Sequence, residues 1–132
     1  MGAEPWNSSI AFESSVESAL EKLRQRVFAE GDYRGSELDP ATPEEALENM
    51  EADGTCSILD IVGISDEPEF CAACPLPDEQ LKALFGTTQP TKAMVEANQD
   101  FYEDIDRGQA IYIVVYENGK PAEYFFAGYS FD

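Results

Sequence analysis

Histidine is absent from the 132 residues. Without an imidazole, neither a Ser–His nor a Cys–His pair can generate an activated nucleophile, and the usual nitrogen ligand of zinc is missing. Basic residues are scarce as well: 8 Lys and Arg face 27 Asp and Glu, a formal net charge of −19 at pH 7. So negative a domain repels phosphate backbones and anionic lipid surfaces, which argues against nucleic-acid and membrane partners. No Gly-rich phosphate loop is present, and no apolar run approaches the roughly 18 residues that suggest a membrane span. The first residues, Met-Gly-Ala-Glu-Pro-Trp-Asn, lack a basic segment followed by an apolar one, so the expected location is cytoplasmic. Paired carboxylates can serve glycoside hydrolysis, but nothing marks a cleft with unlike environments for two of them. The chain is therefore not expected to be an enzyme, and no cofactor is expected.

Hydrophobic residues make up 43%, enough to exclude disorder despite the charge, and the length suits one domain over 1–132. Residues 1–7 read as a loose leader, and 9–12 as a candidate short strand. Ser14 and Glu17 fit a capping box opening a helix whose Val16, Ala19, Leu20, Leu23 and Val27 form one stripe. Thr42, Pro43 and Glu45 open a second, acidic helix. The apolar run 57–62 reads as a central strand. Residues 63–77, rich in Pro and holding two cysteines, form the longest irregular connection and the place to expect binding residues. Helices follow over 78–85 and from 90 to about 107.

The least ambiguous signal lies at 110–127. Two β-branched and aromatic runs flank Asn118-Gly119, the pair preferred by a type I′ turn. An uninterrupted ladder pairs Glu117 with Lys120, Tyr116 with Pro121, Val115 with Ala122, Ile113 with Tyr124 and Ile111 with Phe126. One face then carries Ile111, Ile113, Val115, Ala122, Tyr124 and Phe126; the other carries Tyr112, Val114, Tyr116, Glu123 and Phe125. The expected fold is α+β: a small antiparallel or mixed sheet built from strand 57–62, hairpin 110–127 and the candidate strand 9–12. Three to four helices should pack mainly on one face.

Chemistry-bearing clusters are weak. Cys71 and Cys74 form a C-x-x-C, and Cys56 is a third thiol; as metal ligands they lack a fourth partner, so no metal is expected. Asn49, Glu51, Asp53, Gly54 and Asp60 echo a calcium loop, but position 1 is not Asp and position 12 is too short for the usual bidentate Glu.

The expected function is a small acidic protein-binding module that neutralises or sequesters a basic protein, most plainly an inhibitor of a nuclease-like or other cationic toxin. In size and charge the chain is similar to bacterial immunity proteins. Tyr112, Tyr116, Phe125 and Tyr129 would anchor the partner, with Glu103, Asp104, Asp106 and Glu123 steering it. Two alternatives are a small-ligand or metal-binding protein using the 63–77 loop, and a homo-oligomeric structural protein burying the second hairpin face.

Overall fold

The computed structural model describes residues 3–132. Nine regular elements follow in order: β1 (Pro5–Ala11), α1 (Val16–Glu30), α2 (Pro43–Met50), β2 (Gly63–Ile64), β3 (Ala72–Pro75), α3 (Asp78–Phe85), α4 (Lys92–Ala97), β4 (Ala110–Glu117) and β5 (Lys120–Tyr129). Three 3₁₀ turns, Ser36–Leu38, Ile58–Asp60 and Asp100–Asp104, link them. The strands form one five-stranded mixed sheet in the order β1-β5-β4-β3-β2, so the α+β class holds with a larger sheet than the sequence suggested. β1 and β4 run antiparallel to β5, whereas β2–β3 and β3–β4 are parallel.

The Asn118-Gly119 turn forms as expected, with φ of 53° and 78°. Glu117–Lys120 and Tyr116–Pro121 also pair as expected. Beyond them the ladder departs from an uninterrupted register. A bulge between Val115 and Tyr116 shifts β5 by one residue, so Val115 meets Glu123, Ile113 meets Phe125 and Ile111 meets Ala127. A one-residue shift transfers every later side chain to the opposite face. Tyr124 and Phe126 therefore leave the company of Ile111 and Ile113, and Phe125 joins it.

Both faces of the sheet are covered, not mainly one. On the first, Tyr124 and Phe126 pack with Trp6, with Leu20 and Leu23 of α1, and with Ile58, Leu59 and Ile61. On the second, Ile111, Ile113, Val115 and Phe125 pack with Leu81 of α3, Val95 of α4, and Phe101 and Ile105.

Four further expectations are corrected. Residues 57–62 are not a strand. Ser57 caps a 3₁₀ turn, its Oγ accepting the Leu59 N–H at 3.1 Å. The Leu59 and Ile61 carbonyls are taken by the Arg24 guanidinium rather than by a neighbouring strand. An apolar run buried on all sides has no period that separates the two forms. Residues 5–7 are not a loose leader: they begin β1, and Trp6 is only 7% exposed. Residues 1 and 2 of that stretch lie outside the described residues. The helix expected over 90–107 breaks at Asn98, whose Nδ2 donates to Leu84 O at 3.0 Å and whose Oδ1 accepts the Asp100 N–H at 3.1 Å. The acids that follow would have opposed the negative end of a longer helix. The N-cap of α1 is Ser15 rather than Ser14.

Asp60 is fully buried on the first face. Its Oδ1 accepts the Thr55 N–H at 2.6 Å and the Thr55 hydroxyl at 2.7 Å, while Oδ2 has no partner among the described residues. Burial pushes this carboxyl above the ordinary Asp range, and the Thr55 bonds only partly offset that. At a pH between the unfolded and folded values the folded state therefore holds a proton that the unfolded chain has released. Its stabilising contribution is full below the ordinary Asp pKa of about 3.9 and is lost as pH rises through the folded value. Urea unfolding followed across mildly acidic to neutral pH should show stability falling as pH rises. Asp60→Asn keeps the Oδ1 acceptor and should flatten that slope. Identical slopes for the two proteins would refute the assignment to Asp60.

Candidate functional site

The bulge and the two-sided packing scatter the residues expected to bind a partner. Phe125 is 8% exposed and packs edge-on against Phe101 at 5.8 Å, so it is a core residue and not an anchor. Tyr112 is half-buried on the opposite face, against Tyr124 and Phe126 at 6.0 and 5.8 Å. Tyr129 is half-buried against Tyr102 at 5.6 Å. Tyr116 and Glu123 are half-buried near the hairpin end. These five do not form one surface. Glu103, Asp104 and Asp106 are exposed, and Asp104 alone of the eight lines a cleft flanked by the 63–77 loop.

That cleft has a volume of about 410 Å³. Its floor follows from the parallel pairing of β3 with β4, which sets Cys74 beside Ile111. Leu76, Phe101 and Ile105 complete an apolar base. Phe101 and Ile105 are placed by the 3₁₀ turn and its exit, where the i, i+4 spacing keeps both side chains inward although the helix has ended. Pro68, Pro75 and Pro77 form stiff walls that lack N–H donors. The rim carries Asp66, Glu67 and Asp104, and among the described residues no Lys or Arg lines the cleft. Ser65 orders the rim loop, its hydroxyl donating to Glu67 O at 2.7 Å. A second depression of about 510 Å³ at the hairpin end has Lys92 in its wall and a more polar lining, so it suits a cation less well.

The acidity is mostly uncompensated. Among the described residues three ion pairs occur, Lys22–Glu13, Arg34–Glu4 and Arg107–Asp132, and none involves a rim carboxylate. An apolar base beneath unpaired carboxylates matches a side chain with an aliphatic stem and a cationic tip, as in Lys or Arg.

The cysteines differ in burial. All three are free, with Cys74 buried on the cleft floor and Cys56 and Cys71 half-buried. Burial pushes each thiol up, away from the thiolate that nucleophilic or metal chemistry requires. Among the described residues no group of three or more Cys, Asp or Glu is arranged to hold a metal ion. Asp60 of the calcium-like stretch turns inward to Thr55. Among the described residues, no helix is long and apolar enough to cross a membrane. Compared with protein-family models, with curated proteins and with solved structures, the chain matches none.

The sequence singles out none of Leu76, Phe101 and Ile105 as a binding residue, although Leu76 lies in the 63–77 connection where such residues are expected. The 101/105 spacing was a visible sign of an inward pair. The strand Ala72–Pro75 gave no local signal, because its pairing is parallel and its partner lies more than thirty residues away.

Proposed function

We propose that this protein binds and neutralises a basic protein partner, with a Lys or Arg side chain of that partner seated in the cleft beneath Asp66, Glu67 and Asp104. The observation that carries the reading is the apolar-floored cleft rimmed by three carboxylates without a cation in its lining. The net charge of −19 supports it further, since such a field speeds encounter with a cationic surface and orients the approach. A toxin whose active site attracts phosphate is the plainest class of partner, because an acidic surface is complementary to such a site. The contact centres on the cleft and not on the second hairpin face, whose Tyr112 and Phe125 pack against the two different cores.

The test is affinity purification of the tagged protein from its native host at low salt, followed by calorimetry with the identified partner. The expected partner is basic, and the complex should weaken as salt rises. The rim reversal Asp66→Lys, Glu67→Lys, Asp104→Lys should weaken it at least about a hundredfold, in line with like-charge juxtaposition costing several kcal/mol. The control reversal Glu44→Lys, Glu48→Lys on α2 should change it far less. Retention of no basic protein, or a complex indifferent to salt and to the rim reversal, would sink the proposal. A cationic small molecule would suit the same volume, and native mass spectrometry of the purified protein distinguishes it by a bound mass.

A further inference from the structure

The sheet is interrupted on one side of β4. The Tyr129 N–H donates to Gln109 O at 3.3 Å, which turns the backbone groups of odd-numbered β4 residues toward β5 and those of even-numbered ones away from it. On that outer side the ladder starts well. The Leu76 N–H donates to Tyr112 O at 3.1 Å, just past the end of β3. It resumes at Tyr116, whose N–H donates to Pro90 O at 2.8 Å. Val114 lies between them, and among the described residues neither its N–H nor its C=O has a partner on that side. A notch of about 230 Å³ opens at this point, walled by Tyr112, Tyr116, Leu81 and Thr88. An unpaired donor and acceptor on one residue is half of a strand pairing, and Val114 is half-buried, so leaving both unmet costs free energy.

We infer that this notch is a docking site for an extended two- to three-residue segment of a partner protein, which completes the ladder by pairing its backbone with Val114. The span from Tyr112 to Tyr116 is about 13 Å, and Leu76 and Pro90 close its ends, so a longer strand is excluded. The same closure stops the notch from templating open-ended strand association. Asp78 lines it and no Lys or Arg does, so a segment with flanking basic residues fits best. The inference deepens the capture of a basic partner proposed above, rests on that reading for the identity of the occupant, and adds a second, main-chain contact away from the cleft.

The test uses the full ¹⁵N-labelled chain and the capped peptide acetyl-Gly-Lys-Val-Lys-Gly-amide, followed by NMR at low salt. The expected result is a saturable change of the Val114 amide resonance and slower hydrogen exchange there. Methylating the central valine nitrogen of the peptide should weaken the effect at least about tenfold, since it removes one backbone bond and blocks close approach. The rim-reversed protein should give the same titration, so failure of the cleft proposal and failure of this one are read separately. Absence of a saturable change at Val114, or an equal response to the methylated peptide, makes the notch a solvated break in the ladder and overturns the inference.

Discussion

Replacing Gly128 with alanine should lower stability by about 3 kcal/mol, at the upper end of ordinary overpacking. Gly128 sits in β5, where it pairs with Trp6 on one side and Ala110 on the other. A Cβ there would lie 2.6 Å from Gln109 O, 2.8 Å from Trp6 Cζ2 and 2.9 Å from Ala110 Cβ. Gln109 O is a backbone atom and Ala110 Cβ is fixed to one, so neither can move without displacing β4. Trp6 is buried and cannot swing out without opening the first core. Chemical denaturation followed by tryptophan fluorescence checks this, because the protein has one Trp and it is the residue displaced. The companion variant Gly119→Ala meets no atom within 4 Å, and its strain comes only from φ of 78°, so it should cost about 1 kcal/mol. Equal losses at the two glycines would refute the packing account. In the double variant with Trp6→Phe, followed by circular dichroism because no Trp remains, the losses should not add, since the two sites touch.

Replacing Arg24 with leucine should cost about 3 kcal/mol and lower the melting temperature by about 10 °C for a domain of this size. Arg24 lies on α1 and is 4% exposed. Its Nη1 donates to Leu59 O at 2.9 Å and to Ile61 O, tying the 3₁₀ turn to the helix. Leucine leaves both carbonyls buried and unpaired, each a loss of about 1–3 kcal/mol. Part of that is offset, because a buried guanidinium carries a desolvation penalty that leucine lacks. The same burial lowers the Arg24 pKa, which is opposed by the nearby Glu21, Glu44 and Asp60 carboxylates. Arg24→Lys should fall between the two, since a compact ammonium cannot reproduce the guanidinium fork. Thermal unfolding checks the order wild type, Lys, Leu. Hydrogen exchange at Ile61, whose N–H donates to Ile58 O at 2.9 Å, should speed up in the leucine variant. A leucine variant as stable as wild type would show that the turn holds without the arginine.

Neither residue drew attention in the sequence for the reason that makes it important. By residue type Arg24 is one more helical cation, and Gly128 falls just past the hairpin expected over 110–127. Asp104 and the 63–77 loop stand out in the sequence separately, one for a basic partner and the other for a ligand, because exposed carboxylates and proline-rich connections are visible residue by residue; the structure places both on one cleft. Their meeting over Leu76, Phe101 and Ile105 was not visible, since it depends on a parallel pairing across the sheet. The aromatic face of the hairpin was misread for a single cause. One extra residue at the bulge inverts the alternation, and nothing local in Tyr-Glu-Asn-Gly-Lys-Pro-Ala announces it.

What the sequence by itself determined is therefore local or summed. The Asn118-Gly119 turn, the Thr42 and Gly31 caps, the inward stripe of α1 and the acidic field each follow from neighbouring residues or from counting. Tertiary structure alone decided which face each β5 side chain took, that 57–62 curls into a turn held by Arg24, that Trp6 joins the first core, and where the cleft and the Val114 notch open. The physical reason is common to all four. Each depends on groups far apart in the chain competing for the same space or the same hydrogen bond, and that competition has no period in the sequence.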